Sequence, residues 1–122
     1  MENRRTFVLG VLLVFLGGAL GAALRFAFQS RVQSPYIALI VVNIAGSFAL
    51  GWLAATRFGR NRVVSALVIT GLLGGFTTYS AFTFAVIRGV AAGNWLGTTV
   101  FALVSVAGGV AAAVLGSRLV RA

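Results

Sequence analysis

The 122-residue chain contains no cysteine, no histidine and no lysine, and it has one proline and one acidic residue, Glu2. Each absence removes a class of chemistry. Without cysteine there is no disulfide and no thiolate to bind metal or attack a substrate; without histidine there is no imidazole ligand or proton shuttle near neutral pH. The serines and threonines have no histidine, lysine or carboxylate neighbour to serve as base, so nucleophilic catalysis has no starting point and the chain reads as a non-enzyme.

The position of the lone carboxylate matters as well. A proton-coupled exporter needs a titratable group inside the membrane, where substrate and proton compete, and small four-helix multidrug exporters carry an embedded glutamate for this purpose. Here Glu2 lies in the N-terminal tail and no span carries Asp, Glu, His or Lys. Proton antiport is therefore disfavoured.

What the chain does contain is apolar surface. Hydrophobic residues make up 60% of it and the mean hydropathy is +1.05, too little polarity to coat a water-soluble domain. Charge-free runs cover 6–24, 32–56, 63–87 and 89–117, each at or above the ~18 residues that cross hydrocarbon. The expected fold is an all-α membrane protein of four transmembrane helices, a single domain over residues 1–122. Arg4 and Arg5 ahead of the first run also fit a secretory signal, but three more apolar runs come after it instead of a polar mature domain.

The net charge of +9 comes from ten arginines at helix ends, not gathered on one face as a nucleic-acid surface requires. No nucleic-acid partner is expected. With four spans, Arg4, Arg5, Arg57, Arg60, Arg62, Arg118 and Arg121 share one side, against Arg25, Arg31 and Arg88 on the other. The positive-inside rule then leans toward both termini inside.

The spans are expected near 6–28, 35–56, 63–87 and 95–118. Pro35 suits a first helical turn, and Trp52 and Trp95 fall near span ends, where interfacial aromatics belong. Small residues recur every fourth position: Gly17 and Gly21 in the first span; Asn43, Ser47, Gly51 and Ala55 in the second; Gly108, Ala112 and Gly116 in the fourth. Such stripes let helix backbones approach closely in lipid, and tight packing is the simplest account of each. They predict a compact bundle that oligomerises.

The third span breaks the pattern with "GLLGGFTTYSAFTF" at 71–84. Gly74 and Gly75 weaken a helix, and the hydroxyls of Thr77, Thr78 and Ser80 can compete for its backbone. A broken third helix is expected here. The carbonyls it releases near Gly74 and Thr77 would suit a monovalent cation such as sodium, because transporter folds coordinate that ion with unwound backbone. A glycine kink serving packing alone is the competing account. Neutral donors elsewhere, among them Asn43, Ser47, Thr83 and Ser105, would suit an anion that sheds water, although a lone buried Asn is more often helix glue. Tyr79 and Phe82, three apart, share a face; their positive ring edges could meet an anion, or the pair could be core packing.

In combination these residues resemble the Fluc (CrcB) family of fluoride channels. Four stretches match in order: "GGALGAALRF" at 17–26, "NIAGSFALG" at 43–51, "GLLGGFTTYSAF" at 71–82, and a glycine-rich fourth span around Ser105. The resemblance implies an antiparallel, dual-topology homodimer in the inner cell membrane, with two fluoride pores and a central structural sodium ion. By motif position it assigns the backbone carbonyls of Gly74 and Thr77 to sodium, the Asn43 amide to fluoride, Tyr79 and Phe82 to the aromatic pair, Thr83 and Ser105 to pore hydroxyls, and Arg25 to the vestibule. This sequence departs from the family in having Tyr79 where Phe is usual, and Phe101 and Gly109 where some relatives carry hydroxyls. The function expected is passive fluoride export. Rival readings are a non-conducting assembly subunit, whose polar residues only glue helices, and a small-molecule exporter.

Overall fold

The computed structural model describes residues 2–121, and among them every regular element is helical. α1 (Glu2–Gln29) and α2 (Pro35–Ala55) form the first two spans. At the common rise of 1.5 Å per residue α1 is about 42 Å long, so its arginine-bearing first turns extend past a hydrocarbon layer of about 30 Å. α2 starts where the sequence signals it: Pro35 occupies the first turn and the Ser34 hydroxyl accepts the Ile37 N–H at 3.4 Å.

A short 3₁₀ turn, Arg57–Arg60, leads into the third span, Arg62–Ala91. That span is composite. α3 (Arg62–Val64) is capped by the Asn61 side chain, which accepts the N–H groups of Val63 and Val64 at 2.9 and 3.2 Å. It runs into a π-helical stretch, Ser65–Leu73, then α4 (Gly74–Phe76) and α5 (Tyr79–Ala91). The π winding is not legible in hydropathy, which reports burial and not the hydrogen-bond step. The stretch holds Val68, Ile69 and Thr70 in succession and then Gly71, all weak α formers.

Between α4 and α5 the chain is extended at two residues, Thr77 (φ −75°, ψ 154°) and Thr78 (φ −147°, ψ 123°). Gly74 itself is helical and lies one turn before this point. The turn into α6 (Trp95–Leu119) uses the one positive φ among the described residues, Gly93 at 73°, and the Asn94 side chain caps α6 by accepting the Gly97 N–H at 3.1 Å.

The helices pack chiefly as two pairs, α1 with the third span and α2 with α6. Glycines set both contacts. A Cβ added at Gly17 would lie 2.8 Å from the Leu72 nitrogen, one at Gly21 2.8 Å from the Phe76 nitrogen, and one at Gly75 2.9 Å from the Gly18 Cα. On the other pair, Gly51 sits against the Ala113 backbone and Gly116 against the Phe48 carbonyl. Backbone meets backbone in each case, which is the close approach that small residues permit in lipid. Of the expected α2 stripe, Gly51 makes such a contact, Ser47 lies against Gly109 of α6, and Asn43 and Ser47 also line a groove.

The apolar residues are distributed as lipid requires, inside and outside alike. Ala38, Leu39, Val42, Leu73 and Phe101 are buried, while Phe7, Phe15, Phe26 and Leu96 are largely exposed. Such an exterior is unfavourable in water and natural against acyl chains. All four spans are long and apolar enough to cross a membrane.

Candidate functional site

The two extended threonines are held from outside their own helix. Asn43 on α2, thirty-five positions earlier, accepts the Thr78 N–H through Oδ1 at 2.9 Å and donates Nδ2 to the Thr78 carbonyl at 3.2 Å. This reciprocal pair also fixes which way the amide faces, since a flip would set donor against donor and acceptor against acceptor. It leaves one Nδ2 hydrogen of Asn43 uncommitted.

The extended segment also caps α5. Thr78 Oγ1 accepts the Ala81 N–H at 3.2 Å and lies 3.2 Å from the Ser80 hydroxyl, while Thr77 Oγ1 donates to the Leu73 carbonyl at 2.9 Å. A continuous α-helix would use the N–H groups of Thr78 and Ala81 to serve the carbonyls of Gly74 and Thr77. Both donors are engaged elsewhere, so those two carbonyls lose their ladder partners. Gly74 is exposed, and nothing lies within 4 Å of the position a Cβ would take there.

Around this point lies a groove of about 320 Å³, open along one side, lined by Asn43, Ser47 and Leu50 of α2, Thr77 and Thr78, Tyr79 and Phe82 of α5, and Ser105, Val106 and Ala113 of α6. Seven residues singled out from sequence thus line one groove: Asn43, Ser47, Thr77, Thr78, Tyr79, Phe82 and Ser105. The Ser105 hydroxyl is buried and has no hydrogen-bond partner. A buried hydroxyl left without a partner costs about 1–3 kcal/mol.

Two aromatic rings, Tyr79 and Phe82, line the groove, and further rings pack beyond them. Tyr79 and Phe82 are 5.9 Å apart at 30°, Phe82 stacks on Phe101 at 5.5 Å, and Tyr36 meets Phe101 edge-on at 5.1 Å. Phe101 therefore backs the Phe82 ring and restrains its orientation. Two of the groove-lining residues, Ser47 and Thr78, stand out from sequence as polar residues within the spans but have no role in the motif-based assignment. Ser47 had a legible signal: it lies four residues after Asn43 and so on the same helical face.

Other expected site residues lie outside. Arg25, partly exposed on α1, is not among the groove-lining residues. Thr83 donates its hydroxyl to the Tyr79 carbonyl one turn back at 3.0 Å and is likewise not on the wall. Gly74 precedes the groove by a turn.

A family model described as CrcB-like protein, Camphor Resistance (CrcB), matches residues 12–117. The chain belongs to the CrcB family. A fluoride-specific ion channel FluC of Roseiflexus sp. is 35% identical, the alignment covering 93% of this chain and 98% of that one. The fluoride-specific ion channel FluC 2 of Leifsonia xyli subsp. xyli is 40% identical over 89% of this chain and 81% of its own, and the FluC of Hyphomonas neptunium is 40% identical over 92% and 95%. Family membership and the four apolar spans together make this CrcB chain a multi-pass membrane protein. Its relatives are named as channels, not enzymes.

Proposed function

We propose that the chain is a passive fluoride-selective channel that exports fluoride across the inner cell membrane as a dual-topology antiparallel homodimer with two pores. The observation that carries this reading is the groove in which the Asn43 amide, the unpartnered Ser105 hydroxyl and the Tyr79–Phe82 pair converge. The names of the relatives supply the ion.

The chemistry suits that ion. Fluoride holds its water strongly, so a narrow path must offer several donors in series without any one site deep enough to trap it. Neutral amides and hydroxyls meet that condition, and ring edges add weak positive potential where donors are sparse. A full charge at mid-membrane would cost about 2.5–3.5 kcal/mol to insert, whereas Arg25 near a span end could concentrate anions without that cost. Flow down an electrical gradient needs no fuel, a membrane potential of 100 mV supplying about 2.3 kcal/mol per charge.

A second copy would complete the path. The groove is open along one side, and Tyr79 at its edge is 80% exposed, so one subunit provides only part of a wall. The carbonyls of Gly74, which is exposed, and Thr77, which is half-buried, are deprived of ladder donors and fit a monovalent cation held jointly by two copies. No three His, Cys, Asp or Glu side chains gather among the described residues, so the available donors are neutral oxygens. Sodium there would act structurally, holding the two extended segments together.

The test is fluoride efflux from liposomes containing only this protein. Rapid loss without a pH gradient is expected, with Asn43→Ala reducing it to near background. Tight liposomes with well-folded wild-type protein would favour the non-conducting assembly subunit, and loss only with an imposed pH gradient would favour an exporter.

A further inference from the structure

A second cleft, of about 570 Å³, lies between the first turns of α1 and the start of the third span. It is unrelated to the groove around Asn43. Arg60 and Arg62 line it, Ser65 comes one turn after Arg62, and Phe7, Gly10 and Val11 of α1 form its apolar side. A Cβ at Gly10 would meet nothing within 4 Å, so the glycine leaves open space there and not a helix contact. Among the described residues neither arginine has an ion-pair or hydrogen-bond partner, and the Ser65 hydroxyl has none either.

The order along the cleft is informative. Two guanidinium groups stand at the membrane boundary, a hydroxyl sits about 4.5 Å further along the helix axis, and the apolar bed continues toward mid-membrane. Phosphate, ester and acyl chain occur in that order in a phospholipid. Guanidinium groups bind phosphate oxygens in bidentate fashion, and basic pockets between spans are suited to anionic headgroups. Phe7 is 70% and Val11 52% exposed, so the bed opens to hydrocarbon, where a free phosphate ion gains nothing. A second copy of the chain offers no counter-charge, because the sequence holds ten arginines and only Glu2 as an acid.

We propose that this cleft is a specific site for an anionic phospholipid, with the phosphate on Arg60 and Arg62, an ester oxygen on Ser65, and an acyl chain along Phe7 and Val11 past Gly10. Occupancy neutralises part of the seven-arginine side of the protein and fastens α1 to the third span.

Native mass spectrometry of the full-length protein in neutral detergent tests it, with phosphatidylglycerol, phosphatidylcholine of the same chains, and inorganic phosphate as probes. Retained phosphatidylglycerol is expected, with little phosphatidylcholine or phosphate. At about 1 kcal/mol per arginine, Arg60→Gln with Arg62→Gln should weaken retention roughly thirty-fold, and lysine at both positions should restore most of it. Gly10→Leu should also expel the lipid while leaving the charge unchanged, and Arg57→Gln, on the same side but outside the cleft, should retain it. Equal retention of both lipids, equal loss in Arg57→Gln, or binding of inorganic phosphate alone would overturn the proposal.

Discussion

Ser105→Ala separates a residue kept for ion passage from one kept for packing, because the two roles predict opposite changes in stability. The Ser105 hydroxyl is buried on α6 without a partner. A buried unsatisfied polar atom costs about 1–3 kcal/mol, so its removal should stabilise the subunit, less a fraction for the small void it leaves; a net gain of about 1 kcal/mol is expected. Flux should move the other way. One neutral hydrogen bond contributes about 0.5–1.5 kcal/mol, and if Ser105 donates to the permeating ion at the barrier, its loss slows efflux by about two- to twelve-fold. Thermal unfolding in detergent gives the first quantity and a fluoride electrode on liposomes the second. A variant that unfolds more easily, or one that conducts at the wild-type rate, would refute the reasoning.

Four further outcomes rest on the same geometry. Asn43→Leu should weaken the hold on Thr78 and abolish efflux; with in-membrane hydrogen bonds averaging about 0.6 kcal/mol and reaching about 1.7, the two lost bonds predict a destabilisation of about 1–3 kcal/mol, read by chemical unfolding. Thr78→Val deletes the cap of α5, and should cost about 0.5–2 kcal/mol and raise amide exchange at Ala81. Gly51→Val drives a side chain into the Ala113 backbone, so it should cost about 3 kcal/mol and lower the yield of monodisperse protein, whereas Gly10→Ala, with open space around it, should be neutral or stabilising by about 0.5–1 kcal/mol. Efflux should be flat between about pH 5 and 8, since no span carries a histidine or carboxylate to titrate; a sigmoidal profile would point to a proton-coupled step instead.

Much of this protein is written locally. Run length and hydropathy determine the four spans, Pro35 and Asn94 mark helix starts, and "GGFTT" weakens the third span, because each effect acts within a few residues of its cause. The absence of titratable side chains from the spans likewise comes from composition alone. Tertiary structure decides the rest. Nothing in the sequence pairs Asn43 with Thr78 across thirty-five positions; that contact needs α2 to cross the third span at one particular height. Gly46 packs against the Thr77 side chain at that crossing. The same packing leaves Arg25 and Thr83 off the groove wall, brings Ser47 onto it, and puts Phe101 behind Phe82. Hydropathy is a property of single residues and is summed along the chain, whereas a hydrogen-bond partner is set by how two backbones meet, so only the folded chain specifies it.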